Sequence, residues 1–233
     1  MKKDSRQLIH IGINLLSIPG ITINKQNSIR FQQSIYENGL DFSNVQSLDD
    51  KIILERHEPS ALNISAISPH DQPFGQLLII SPKPSTIEMF ISEAEAACLA
   101  YDNVWKATQR QIIRADATIR ELHETTSEHA FKEIWESLLG QTEDSLRVFN
   151  KPIRGGGLRF VLDPSMDEDE PIQIEIKLES FLENTNKIYL ETIFRWVRPS
   201  EQGEGYNIRN RIDNINNYIE ENVLSFLEGK KDV

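Results

Sequence analysis

Residues 110–122 read RQIIRADATIREL, and this stretch decides the fold because it fits two kinds of secondary structure. Apolar and polar residues alternate over positions 113–120, which is the period of a half-buried strand. The same letters also place apolar side chains at helical spacing, at Ile112, Ala115, Ile119 and Leu122. The local pattern alone therefore leaves helix and strand open.

A second stretch resolves the ambiguity. Residues 6–16, RQLIHIGINLL, begin with the same Arg-Gln pair and alternate in the same way at an ungapped offset of 104 residues. Gly12 and Asn14 within this copy are unfavourable in a helix, whereas strict alternation is typical of a strand. We therefore predict that both stretches are β-strands.

The rest of the chain repeats in a similar order. FQQSIYENGL (31–40) resembles FKEIWESLLG (131–140), and each reads as an amphipathic helix entered after a serine, Ser28 or Ser127. Strand-like segments follow at 53–60, 61–68 and 77–85 in the first half and at 158–165, 171–180 and 189–200 in the second. Each half closes with a helix, at 86–105 and 207–229.

This order predicts an α+β protein with an internal duplication of a β-α-β-β-β-α unit, with halves at residues 1–105 and 106–233. Each unit would form a mostly antiparallel sheet with its helices on one face, and two units side by side would make one curved sheet. The element order resembles the helix-grip and TATA-binding-protein-like arrangement. Because no family motif accompanies it, the resemblance implies a fold and no function. A single α+β domain whose elements merely look alike is the alternative.

Charge and composition narrow the choice of partners. With 25 basic and 36 acidic residues the net charge is −11, which disfavours nucleic acid and anionic membranes. No apolar run approaches the ~18 residues of a membrane span. The single cysteine, Cys98, excludes an internal disulfide and is expected to be a buried helical thiol. We expect a cytoplasmic protein.

The glycine run RGGGLRF (154–160) is the first candidate site. Its glycines lead into a strand, whereas a phosphate-binding loop opens a helix. It is either a turn at the start of a strand or a mobile loop beside a pocket, with arginines as anion ligands. The candidate ligand-binding residues are Arg154, Gly155, Gly156, Gly157 and Arg159.

Two further motifs concern a partner surface and a metal. DPSMDEDEP (163–171) lacks the spacing of a calcium loop and predicts an exposed acidic hairpin loop. His123 and His129 are six apart, so they cannot form the HExxH zinc site, and we expect no metal. The candidate partner surface joins the acidic loop to arginines on one sheet face and comprises Asp167, Glu168, Asp169, Glu170, Arg114, Arg120 and Arg195.

No catalytic constellation is apparent, so we expect neither catalytic residues nor a cofactor, although an enzyme stays possible. The leading hypothesis is a non-catalytic protein that binds another macromolecule through an acidic curved sheet, in a chaperone-like or neutralising role. One alternative is a small-molecule pocket between sheet and helices near the glycine run. Another is single-stranded nucleic-acid binding by the second-half sheet face. Edge strands offer a route to a homodimer.

Overall fold

The computed structural model describes residues 1–167 and 169–228. Within these residues nine antiparallel strands form one open sheet in the order β2-β3-β4-β5-β1-β6-β9-β8-β7. The strands are β1 (Gln7–Ile18), β2 (Asn44–Ser47), β3 (Lys51–Arg56), β4 (Ala61–Ile67), β5 (Gly75–Lys83), β6 (Gln111–Glu124), β7 (Gly157–Leu162), β8 (Ile172–Ser180) and β9 (Lys187–Trp196). The predicted α+β class with an antiparallel sheet is confirmed.

Five α-helices accompany the sheet in the described residues: α1 (Lys25–Glu37), α2 (Ile87–Val104), α3 (Ala130–Lys132), α4 (Ile208–Tyr218) and α5 (Leu224–Leu227). A π-helical turn, Glu133–Leu138, extends α3, and another, Ile219–Val223, joins α4 to α5. We call the continuous segment 208–227 the C-terminal helix. None of the helices in residues 1–167 and 169–228 is both long and apolar enough to cross a membrane.

The stretch 110–122 is a strand, as predicted. β6 pairs antiparallel with β1, and the two stretches that resemble each other in sequence are direct neighbours in the sheet. Their alternating apolar residues meet on one face, in the pairs Ile11–Ile119, Ile13–Ala117 and Leu15–Ala115. All six side chains are buried, so the helical interpretation is wrong because it would break this ladder.

The two halves of the chain lie on opposite sides of the β1–β6 pair. The first half runs β1-α1-β2-β3-β4-β5-α2 and the second β6-α3-β7-β8-β9-α4-α5. The first half therefore has one strand more than predicted, the short edge strand β2, which pairs with β3 and is exposed throughout. Its four residues, NVQS, carry too little alternation to be recognised as a strand.

The helix starts also differ from the prediction. Helix α1 is capped by Asn24, whose side chain accepts a hydrogen bond from the Asn27 amide at 2.9 Å, and Ser28 lies inside the helix. Helix α3 begins after His129, whose Nδ1 accepts from the Phe131 amide at 3.1 Å, rather than after Ser127. Ser28 therefore lies after the observed start of α1, and Ser127 lies before the observed start of α3. The sequence could not fix either start, because several polar residues near each one can serve as a cap.

One hydrophobic core lies between the helices and one face of the sheet, which we call the inner face. Ile13 of β1, Phe31 of α1, Ile91 of α2 and Ile212 of α4 are at most 1% exposed and belong to the same cluster. We call the opposite face the outer face. Successive side chains of each strand alternate between the two faces.

Candidate functional site

The glycine run is shaped by close packing. A β-carbon on Gly157 would lie 2.1 Å from the Leu178 carbonyl oxygen, and one on Gly156 would lie 2.8 Å from the Phe131 ring. Both distances are far below a van der Waals contact, so glycine is needed where β7 approaches β8 and α3. The prediction that these glycines lead into a strand is confirmed, since β7 begins at Gly157.

The two candidate anion ligands of this run have different partners. The Arg154 guanidinium donates to the Leu182 carbonyl oxygen at 3.0 Å. Arg159 lies on β7, and its Nε is 2.8 Å from a Glu175 carboxylate oxygen on the neighbouring strand. The two arginines therefore bind different partners and do not converge on one site. Arg159 also lines an apolar groove, whereas Arg154 does not.

The outer face of β7, β8, β9 and β6 carries a network of ion pairs around two buried carboxylates. Glu175 and Glu191 are 3% and 4% exposed. Besides Arg159, Glu175 contacts Arg195 at 2.9 Å and Lys177 at 3.5 Å. Glu191 contacts Lys177 at 2.6 Å and Arg120 at 2.5 Å.

This network occupies the arginines of the candidate partner surface. Arg120 and Arg195 pair with Glu191 and Glu175, and Arg114 pairs with Asp116 at 3.0 Å. Phe194 and Trp196, which alternate with Arg195, are buried on the inner face as predicted. The outer face here is a mixed-charge surface rather than an acidic one.

The pKa values of the two glutamates report how well they are paired. Burial alone would raise the pKa of Glu191, but hydrogen bonds from Lys177 and Tyr189 and the charge of Arg120 outweigh it, so the pKa is lowered. Burial likewise opposes hydrogen bonds from Arg195 and Arg159 at Glu175, whose pKa is also lowered. A lowered carboxyl pKa means that folding favours the ionised form.

We expect Glu191→Gln to lower the free energy of unfolding at pH 7 by roughly 1.5 kcal/mol, because the cations keep their positions but lose the charge that pairs them. A depressed folded-state pKa stabilises the protein above the unfolded value and is lost as pH falls through the folded value. The difference between wild type and variant should therefore shrink as the pH drops below about 4.3. Urea unfolding at several pH values measures it.

Glu179→Gln is the matched control. Glu179 lies on the neighbouring strand β8 and, like Glu191, on the outer face, but its side chain is exposed. We expect it to change the unfolding free energy by less than about 0.5 kcal/mol. Equal losses in both variants, or a difference that persists at low pH, would contradict a stabilising role of the buried network.

The acidic loop lies between β7 and β8, as predicted. Asp163, Asp167, Asp169 and Glu170 are exposed, and Glu168 lies outside the described residues. Arg198 donates to the Asp169 carbonyl oxygen at 2.7 Å and ties the loop to the end of β9. The carboxylates are left facing solvent at the end of β7.

His123 and His129 belong to different elements. His123 is fully buried on β6, and its Nε2 is 2.6 Å from a carboxylate oxygen of Glu121, which also accepts from the Arg6 guanidinium at 2.7 Å. Arg6 in turn contacts Glu220 of the C-terminal helix at 3.1 Å. This group of side chains, of which Glu121 and His123 are fully buried, joins the start of β1 to the C-terminal helix, and sequence patterns did not reveal it.

An apolar groove of about 440 Å³ runs between β7, β8 and the end of the C-terminal helix. Its walls include Phe160, Leu162 and Ile176 of the inner face and Tyr218 and Phe226 of the helix. Phe160 is 39% exposed, Leu162 41% and Phe226 48%, so the described residues cover these walls only in part. The Phe160 and Phe226 rings meet edge to face, with centroids 5.7 Å apart.

The groove borders a free edge of the sheet. Within the described residues β7 pairs with β8 alone, so its other side presents unpaired backbone N–H and C=O groups at strand spacing. At the opposite edge, β2 carries one exposed apolar side chain, Val45, among Asn44, Gln46 and Ser47. The two edges therefore differ: only that of β7 combines a free backbone with an apolar groove in the part of the chain that the structure describes.

The candidate site is thus an apolar groove beside a free strand edge, with exposed carboxylates at one end. The alternative drawn from the sequence, a pocket between sheet and helices near the glycine run, named Arg159 but none of the apolar residues of this groove. The signal for them was the apolar run Phe160-Val161-Leu162 in a strand next to a loop. The sequence matches no protein-family model and no curated protein.

Proposed function

We propose that the protein binds an extended segment of another protein, which adds a strand to β7 and places apolar side chains in the adjoining groove. The observation that carries this proposal is the coincidence of a free strand edge with an exposed apolar groove on its inner side. Strand addition supplies affinity through backbone hydrogen bonds and specificity through pockets for alternate side chains.

The negative charge of the acidic loop between β7 and β8 indicates which residues should flank the bound segment. Asp163, Asp167, Asp169 and Glu170 lie exposed where β7 ends, and the whole chain carries a net charge of −11. Complementary charges at the rim of an interface speed association with a basic partner. The occupant proposed here is therefore a segment with alternating apolar residues and basic flanks, which suits a chaperone-like or neutralising protein of the cytoplasm.

A small apolar molecule is the second candidate occupant. The groove volume of about 440 Å³ falls in the range of ligand pockets, and most of its lining residues are apolar. Single-stranded nucleic acid has weaker support, because the outer-face cations are paired with glutamates and Phe194 and Trp196 are buried on the inner face.

The relation between the halves is part of the same proposal. We infer that the chain arose by duplication of a β-α-β-β-β-α unit, in the helix-grip or TATA-binding-protein-like manner. The similar element order on either side of the β1–β6 pair supports this inference. The two units would then have diverged at their outer edges, where the first half carries the additional strand β2.

Fluorescence anisotropy with a labelled peptide of sequence KKTVTLTVTKK tests the binding proposal. We expect wild type to bind it and Phe160→Asp to weaken binding at least about tenfold, because a carboxylate replaces an apolar wall of the groove. A peptide N-methylated at alternate residues keeps its side chains but cannot pair with β7, so it should bind poorly.

Val45→Asp is the control, since it puts the same charge on the opposite edge strand. Equal binding by both variants, or no binding by wild type, would refute the proposal. Binding of octanol without binding of the peptide would favour the small-molecule alternative. Self-association of wild type that Phe160→Asp abolishes, measured by sedimentation equilibrium, would make a second copy of the chain the occupant.

A further inference from the structure

The edge of the sheet opposite β7 lacks the features that normally protect an edge strand. The four residues of β2 are all exposed, and within the described part of the chain β2 pairs with β3 alone. Edge strands are usually protected by charged side chains, proline or a bulge, because their unpaired backbone groups can pair with another chain. β2 has no charged residue and no proline, and its pairing with β3 has no register shift. Its free backbone groups are therefore available to a partner strand.

Helix α1 lies beside this edge. The Ser47 hydroxyl of β2 donates to the Ser28 hydroxyl of α1 at 2.9 Å. On another side of the helix, Ser34 accepts from the Asn103 amide of α2 at 3.0 Å, and the Phe31 ring lies edge-on to an aromatic ring of α2. Helix α1 is therefore the outermost helix on the β2 side of the inner face.

Two large apolar side chains of α1 point away from α2. At roughly 100° per residue, Ile29 and Tyr36 lie about 20° apart around the helix and at least about 140° from Phe31 and Ser34. Ile29 is 55% exposed and Tyr36 73%. Ile29 also lines a surface groove with Leu48, an exposed residue that directly follows β2. Exposed apolar side chains thus accompany the free strand edge.

A two-fold axis perpendicular to the sheet makes these features self-complementary. It pairs β2 antiparallel with the β2 of a second copy and places the two α1 helices antiparallel on the inner face. Ile29 of one helix then approaches Tyr36 of the other, and Lys25 at the start of α1 approaches Glu37 at its end. We propose that the protein forms a closed dimer through β2 and α1, in which the two sheets become one.

The proposed dimer is expected to be weak. The contact comprises a four-residue strand and one side of a helix, so we expect a Kd on the order of 10 µM. At about 1 µM the protein is then mainly monomeric, and unfolding at that concentration reports the stability of the monomer. The net charge of −11 on each copy opposes association, and about 150 mM salt screens this repulsion.

Sedimentation velocity from about 1 to about 100 µM protein tests the dimer. Wild type should pass from monomer to dimer over this range. Tyr36→Asp and Val45→Asp should each raise the Kd at least about tenfold, because each puts a carboxylate into an apolar contact. Val45 lies on the same face of the sheet as the buried Leu54 opposite it, and therefore on the side of α1. Tyr36 and Val45 are both exposed in the monomer, so each variant should fold, which circular dichroism verifies.

Leu99→Asp is the matched control. Leu99 is 55% exposed on α2, away from β2, so the same charge there should leave the Kd unchanged. Phe160→Asp should also leave it unchanged, and Val45→Asp should still bind the KKTVTLTVTKK peptide. The dimer and the peptide site at β7 can therefore fail independently.

Hydrogen exchange identifies the strand that pairs. Amides of residues 44–47 should exchange more slowly at about 100 µM than at about 1 µM, whereas those of residues 158–162 should not change. A monomer at every concentration, or an equal loss of dimer in Leu99→Asp, would overturn the proposal. Growth beyond the dimer with protection of β7 would overturn it as well, because pairing of β2 with the β7 of another copy leaves free edges and continues into an open chain.

Discussion

Replacing Phe31 with alanine is expected to lower the free energy of unfolding by about 4 kcal/mol. Phe31 is fully buried where α1 packs on α2. Its ring centroid lies 5.3 Å from that of Trp105 and 6.2 Å from that of Tyr101, with the Tyr101 ring edge-on. Alanine would leave a cavity that these large rings cannot close without leaving their own contacts.

Ile29→Ala provides the comparison within the same helix, because Ile29 is 55% exposed. It should change the unfolding free energy by less than about 0.5 kcal/mol. Urea unfolding at pH 7 measures both variants, and an unchanged dependence on urea would indicate that each acts through stability alone. Similar losses from Phe31→Ala and Ile29→Ala would mean that the aromatic cluster does not hold the two helices together.

The strands at the centre of the sheet could be predicted because their sequences contain the necessary signal. Residues 6–16 and 110–122 alternate apolar and polar side chains, and Gly12 and Asn14 argue against a helix. Alternation is a local consequence of strand geometry, so it survives in a single sequence. The prediction that Phe194 and Trp196 face the core while Arg195 faces outward succeeded for the same reason.

The pairing between strands could not be predicted in this way. Alternation predicted that Arg120 and Arg195 lie on a sheet face, but it could not show that the register places Glu191 opposite Arg120 and Glu175 beside Arg195. Register depends on which strands are neighbours, and β6 and β9 are separated in the chain by residues 125–186. Predicting an acidic sheet surface from net charge overlooked this neutralisation.

The candidate groove depends on contacts between residues that are even farther apart in the sequence. The alternation of Leu158, Phe160 and Leu162 indicates a strand with one apolar face. Whether that face is covered depends on where the C-terminal helix ends, some sixty residues later in the chain. The sequence also left open whether the glycine run is a mobile loop. The close packing of its glycines depends on Phe131, Leu178 and Glu179, which lie in other parts of the chain.

We expect Gly157→Ala to lower the free energy of unfolding by about 3 kcal/mol, at the upper end of the usual cost of overpacking. The added carbon would lie 2.1 Å from the Leu178 carbonyl oxygen and 2.8 Å from the Glu179 Cα, so the backbones of β7 and β8 would have to separate. A flexible side chain could move aside, whereas these atoms belong to the paired strand itself. The variant should therefore lose the edge strand before the rest of the sheet.

Hydrogen exchange locates this loss and urea unfolding measures its size. In Gly157→Ala the amides of residues 158–162 should exchange faster, and binding of the KKTVTLTVTKK peptide should fall with them because the groove is built on β7. Gly205→Ala is the control, since a β-carbon there meets no atom within 4 Å, and it should be neutral. Unchanged exchange in β7 of the Gly157→Ala protein would show that the strand tolerates a side chain at its start, and the close packing that defines the edge of the groove would then be wrong.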